Sequence, residues 1–119
     1  MRLITMALFI ILLPLYGEGA EIGHVIDGDT IKLTDGRRVR LYGIDCPEGQ
    51  QEAGGEATVF VRKLAEGKSV LMHALGNDRY GRTVAILYFS NGSSLQESIV
   101  AAGYAWIAPR YCNRPECLE

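Results

Sequence analysis

Cysteine and histidine are scarce in this chain: three cysteines and two histidines among 119 residues. No Cys-x-x-Cys pair occurs, and neither His24 nor His73 stands at ligand spacing from a cysteine, which argues against a zinc site. There is no internal repeat and no low-complexity tract. A basic excess is also missing, since 12 Lys and Arg against 14 Asp and Glu leave a formal charge of −2. That balance excludes tight, non-specific coating of DNA but leaves room for a local site that grips phosphate. The apolar run from Leu3 to Tyr16 falls short of the roughly 20 residues a membrane span needs.

That run follows Met1-Arg2 and ends at Pro14 and the small residues of Gly17-Glu-Gly-Ala20, the layout of a secretory signal peptide. Cleavage is expected after Gly19 or Ala20, giving a signal peptide over 1–19 and one domain over 20–119. The alternative is an uncleaved membrane anchor, because Glu18 fits the cleavage pattern poorly. Export agrees with Cys112 and Cys117, close enough together to form a small disulfide loop in an oxidising compartment, and leaves Cys46 over.

Against this background one set of residues carries chemistry. Asp29 lies in Val25-Ile-Asp-Gly-Asp-Thr30, Arg40, Asp45 and Glu48 in Arg40-Leu-Tyr-Gly-Ile-Asp-Cys-Pro-Glu48, and Arg82 in Asp78-Arg-Tyr-Gly-Arg82. Two carboxylates can hold a hard divalent cation, a third acid can steer or deprotonate water, and two guanidiniums can clamp phosphate oxygens. That is the inventory for cutting a phosphodiester. Taken singly, each segment has a plainer reading. Asp27-Gly-Asp29 and Asp35-Gly36 are ordinary turn sequences, Pro47-Glu48 could end a strand, and the arginines could pair with Asp78 and Glu52. Tyr80, Tyr104 and Trp106 read as core or rim aromatics, Trp106 as core.

The segments fall on a β-rich framework. Glu21 to Ile26 and Thr30 to Leu33 are strands separated by a bend or tight turn at Asp27-Gly28, and Asp35-Gly36 opens a hairpin into a third strand at 38–44. A three-residue loop over 35–37 pairs Ile31 with Leu41 and Leu33 with Val39, so that one face is wholly apolar and Arg40 shares the other with Lys32. Strict alternation then points Asp45 away from Arg40, which predicts a bulge or kink near Gly43. A helix opens at Gly54-Gly55, with Ala57, Phe60, Val61 and Leu64 as its apolar stripe and Gly67 as its cap. Strands follow at 69–75 and 83–89. Ser94 and Glu97 then form a capping box for a second helix, with Leu95 and Ile99 inward and Gly103 at its end. Three strands, a helix, two strands and a helix is the order of a five-stranded OB-fold barrel.

From Val25 to Tyr111 the chain resembles the staphylococcal nuclease (thermonuclease) family, on the strength of Asp27-Gly-Asp-Thr30, the Arg40 to Glu48 block and Asp78-Arg-Tyr-Gly-Arg82. The resemblance implies an OB-fold endonuclease that uses Ca²⁺ to hydrolyse DNA and RNA, preferably single-stranded or unpaired, leaving 3′-phosphate ends. It implies metal ligation by Asp29, Asp45 and the carbonyl of Cys46, and catalytic roles for Arg40, Glu48 and Arg82. Tyr80 and Tyr111 would contact the nucleotide. Departures are Cys46 where the family's reference member has threonine, Pro109 where it has a tyrosine, and a further C-terminal helix expected to be missing. A secreted or periplasmic monomer without stable membrane association is the resulting expectation. The competing ones are a non-catalytic OB-fold module for nucleic acid or protein, and a truncated inactive relic.

Overall fold

The computed structural model describes residues 17–48 and 54–108. In order these form β1 (Glu18–Asp27), β2 (Thr30–Leu33), β3 (Arg38–Leu41), β4 (Ile44–Asp45), α1 (Gly54–Ala65), β5 (Ser69–Asn77), β6 (Thr83–Tyr88), α2 (Leu95–Ala101) and β7 (Trp106–Ile107). Five strands close a barrel in the order β1-β2-β3-β6-β5, and β4 and β7 make a separate two-stranded ribbon. Closure runs through the parallel pairing of β3 with β6, with Arg40 beside Val84. With α1 ahead of the fourth barrel strand and α2 after the fifth, this is the OB-fold expected from the order of elements.

The alternation of the strands explains the barrel. Val25, Ile31, Val39, Leu41 and Leu87 point inward and are fully buried, while Arg38 and Lys32 are exposed. β1 serves two neighbours. Its first residues pair with β5, Glu18 with Met72 through Glu21 with Ser69, and its second half pairs with β2. It therefore starts earlier than the alternation from Glu21 predicts, and cleavage after Gly19 or Ala20 would fall within its rungs on β5.

The hairpin register differs from the expected one. Ile31 pairs with Val39 and Lys32 with Arg38, so the rungs slide by two residues and the loop is Thr34 to Gly36. The backbone N–H of Leu33 bonds the carbonyl of Arg37 at 2.8 Å, and the Asp35 carboxylate accepts from the N–H of Arg37 at 2.9 Å. A shift of two leaves every side chain on its face, so the apolar face survives. After β3 the chain kinks at Gly43, whose φ of 80° suits glycine, and this returns Asp45 toward Arg40.

α1 buries Ala57, Val61 and Ala65 along one stripe against β1. Phe60 and Leu64 sit at its margin, partly buried, and Phe60 stacks on Tyr104 with ring centroids 4.7 Å apart. α2 carries the expected capping box between Ser94 and Glu97, with Leu95 and Ile99 fully buried. Trp106, expected in the core, is 51% exposed, because β7 pairs with β4 beyond the barrel wall.

Candidate active site

The turn between β1 and β2 positions the first acid. Asp27 pairs with Thr30 across it, leaving Gly28 and Asp29 at its tip. A Cβ on Gly28 would lie 2.8 Å from Sγ of Cys46 and 3.3 Å from Cβ of Ala57, so the turn lies tight against the β4 segment and α1. Only glycine lets the backbone come this close. Asp29 is consequently buried and held from several sides. Its Oδ2 accepts the backbone N–H of Cys46 at 3.0 Å, its Oδ1 accepts the hydroxyl of Thr30 at 3.2 Å, and its own N–H donates to Asp27 at 3.3 Å.

Arg40 reaches both acids from β3. Its Nη2 lies 3.5 Å from Oδ2 of Asp29 and 3.3 Å from Oδ1 of Asp45. Its Nη1 donates to the carbonyls of Leu41 at 2.6 Å and Ile44 at 2.9 Å. The guanidinium is thus fixed by backbone oxygens and bridges two carboxylates, with only 12% of the side chain exposed. Burial, then the neighbouring Asp27 carboxylate, pushes the Asp29 carboxyl up to about 7, against the opposing pull of Arg40 and the Cys46 amide. Burial, then the charge of Asp29, pushes the Cys46 thiol up to about 12, so it stays protonated at neutral pH.

Arg82 lies at the end of the loop between β5 and β6, just ahead of the strand in which Val84 stands beside Arg40. Its Nε donates to Oδ2 of Asp78 at 2.6 Å, and the other oxygen of Asp78 accepts the backbone N–H groups of Tyr80 at 2.9 Å and Arg82 at 3.0 Å. Tyr80 is 57% exposed, with the guanidinium of Arg79 at 5.0 Å and that of Arg82 at 5.5 Å from its ring centre. Glu48 is exposed three residues beyond Asp45. Tyr111, Glu52, Cys112 and Cys117 lie outside the described residues.

Asp29, Asp45, Arg40 and the backbone of Cys46 therefore form one group, and Arg82 with Tyr80 a second in the loop between β5 and β6. The pairing of an arginine with Asp78, weighed from the sequence as the plainer reading, is present at Arg82 and organises its loop. Sequence reasoning missed two supporting residues. Thr30 bonds Asp29. Arg38 donates from Nη2 to the carbonyl of Tyr80 at 2.7 Å and so ties that loop to β3. Nothing local marked Arg38.

The donor set speaks to what cation the group would suit. Two carboxylates flank one guanidinium nitrogen, the Cys46 thiol is protonated, and among the described residues no three His, Cys, Asp or Glu side chains come together to hold a metal. Zinc would want thiolate or imidazole. A hard cation that completes its shell with carbonyls and water fits instead.

A five-stranded OB barrel with acids and an arginine grouped on its wall is an architecture found among oligonucleotide- and oligosaccharide-binding proteins. Residues 38–118 match the family described as staphylococcal nuclease homologue, and the chain belongs to that family. It is 37% identical over 98 residues to an uncharacterized endonuclease of Escherichia coli, covering 80% of this chain and 64% of that protein. An uncharacterized endonuclease of Haemophilus influenzae is 34% identical over 103 residues, which is 83% of this chain and 57% of the relative. The staphylococcal-like nuclease CAN1 of Arabidopsis thaliana is 40% identical over 79 residues, or 66% of this chain and 24% of the relative. The chain thus spans less than two thirds of the length of these curated relatives.

Proposed function

We propose that this protein is a Ca²⁺-dependent endonuclease that hydrolyses phosphodiester bonds of DNA and RNA, prefers unpaired strands and leaves 3′-phosphate ends. The observation that carries this reading is the Arg40 guanidinium set between Asp29 and Asp45 at 3.5 and 3.3 Å, beside the strand that Arg82 leads into. Family membership and the relatives' names support a nucleic-acid substrate. The protein works as a secreted or periplasmic monomer, without stable membrane association once residues 1–19 are removed.

In the proposed reaction water attacks phosphorus in line and the 5′-oxygen departs. Arg40, already fixed by backbone carbonyls, needs no reorganisation to meet a phosphate oxygen. Arg82 presents a second planar fork from the loop that leads into β6, a shape that lysine does not reproduce. Glu48 orients the attacking water or takes its proton, from its place just beyond Asp45. Asp29, Asp45 and the carbonyl of Cys46 would hold Ca²⁺, which when bound supplies Lewis-acid polarisation of the phosphate. Tyr80 and Tyr111 contact the nucleotide.

The test is cleavage of denatured DNA by the purified mature chain with Ca²⁺ and with chelator, alongside Arg82→Ala. Cleavage that needs Ca²⁺ and falls sharply in the variant is expected. Equal activity in Arg82→Ala would remove the assignment. Affinity for single strands without hydrolysis would establish the binding-module alternative.

A further inference from the structure

Trp106 is the chain's only tryptophan, and half of its surface is open to solvent. Its place is defined by the β4–β7 ribbon, an antiparallel pair in which Asp45 stands directly opposite Trp106 and Ile44 opposite Ile107. Residues directly opposed in such a pair project from the same face, with Cβ atoms about 4.5–5.5 Å apart. The second rung shows which face is which. Ile44 and Ile107 both line a cavity of about 610 Å³ between the ribbon, α2 and the outer side of β6. Asp45 and Trp106 therefore share the opposite face, where Asp45 meets Arg40.

An exposed indole beside a bridged pair of acids and a fixed arginine has the make-up of a surface that takes a single strand. Charged groups hold the backbone, and an aromatic π-face takes a base. Trp106 is also not alone on this track. Arg38 holds the carbonyl of Tyr80 at the start of β3, Arg40 follows two residues later, and Asp45 with Trp106 lies beyond the strand's end. Two exposed aromatics, Tyr80 and Trp106, thus belong to segments joined to the two ends of the stretch that carries Arg40 and Asp45.

We propose that Trp106 is a stacking platform for an unpaired nucleobase of the strand whose phosphate sits at Arg40. The phosphate position is taken from the nuclease reading above, on which this inference rests. An indole face accepts any base, so the subsite adds affinity without sequence preference. It requires the base to be out of its duplex stack, so paired strands gain nothing from it. Deoxyribose and ribose strands present the same base face and engage it alike.

The single tryptophan makes the test direct. Wild-type fluorescence is followed by rapid mixing, before the strand is cut, with a single-stranded oligodeoxynucleotide, the matching oligoribonucleotide, their duplexes and an abasic oligomer of equal length. Steady-state cleavage by wild type, Trp106→Ala and Trp106→Phe is measured in parallel. Both single strands are expected to quench the emission, and the duplexes and abasic oligomer to leave it unchanged. Trp106→Ala should raise KM about tenfold at unchanged kcat, with Trp106→Phe recovering most of the loss. Normal cleavage by wild type with no quenching, and an unaltered KM in Trp106→Ala, would overturn the platform and leave the nuclease reading standing. Quenching by base-bearing strands with no cleavage would uphold the platform and remove the nuclease. Quenching by the abasic oligomer to the same extent would also overturn it.

Discussion

Arg40 lies on β3 and Arg82 just ahead of β6, the strand that pairs with it, and the molecule holds the two by different means. Arg40 is largely shielded, bonded to two backbone carbonyls and set between acids that come from separate parts of the chain. Arg82 is more exposed and is held inside its own loop by Asp78, four residues away, with the Tyr80 ring alongside. The first arginine is part of how the barrel's outer wall is assembled. The second belongs to the loop between β5 and β6, which Arg38 ties to β3. One proposed role is therefore joined to unequal consequences for folding.

The largest expected separation comes from deleting each guanidinium. Arg40→Ala leaves two neighbouring carboxylates uncompensated and should cost about 3–5 kcal/mol of stability, on the scale of a broken buried pair, in addition to most of the activity. Arg82→Ala should lose a comparable share of activity, about 2.7–4 kcal/mol in the barrier, typical of a lost transition-state donor. Its stability should move by less than about 1 kcal/mol, as for a partly exposed ion pair. Denaturant melts beside kcat/KM values check this directly, and equal destabilisation by the two variants would erase the contrast.

A smaller effect is expected at the turn that carries Asp29. Gly28→Ala places a Cβ against Cys46 and should destabilise by about 1–3 kcal/mol, the usual cost of overpacking. Adding Cys46→Ala removes the Sγ that the new methyl meets, so the double variant should be less impaired than the sum of the singles. Strict additivity would show that the contact does not set the turn.

Asp78→Asn sharpens the other side of the comparison. It weakens the charge-assisted bond to Arg82 Nε while retaining an oxygen for the backbone N–H groups of Tyr80 and Arg82. A severalfold rise in KM is expected, with little change in the melt.

The smallest effect is a pH dependence. Burial tends to raise the Asp78 carboxyl, but its bonds from the backbone and side chain of Arg82 and the backbone of Tyr80 outweigh this and hold it below the usual carboxylate range. A depressed carboxyl contributes stability above its unfolded value of 3.8, and that contribution is lost as pH falls through the lower folded value. The Arg82 Nε–H resonance should accordingly stay unchanged through mild acid and move only below about pH 4. Movement between pH 5 and 6 would mean that Asp78 does not hold Arg82.

Much of this was legible in the sequence, for reasons that particular residues make plain. Strand faces followed from alternation, the second helix from the Ser94 and Glu97 capping box, and the kink that returns Asp45 to Arg40 from Gly43. The hairpin rung was not legible, because a slide of two residues preserves every face and only the bonding of Leu33 to Arg37 around the turn decides it. Trp106 was misplaced because its surroundings depend on which strand β7 joins, and that strand lies some 60 residues earlier in the chain. The acids and arginines could be named from their segments. That Arg40 is anchored in the wall while Arg82 is anchored in a loop required the coordinates, since both have the same local chemistry.

On the proposed function, Asp29 and Asp45 together bind a divalent cation beside Arg40. Thermal melts of wild type and Asp45→Asn across a Ca²⁺ titration test it most directly, since a ligand that binds only the folded state raises the midpoint in proportion to its occupancy. A saturable rise in wild type that disappears in Asp45→Asn is the predicted result. The same rise in both proteins, or no rise in wild type, would contradict it.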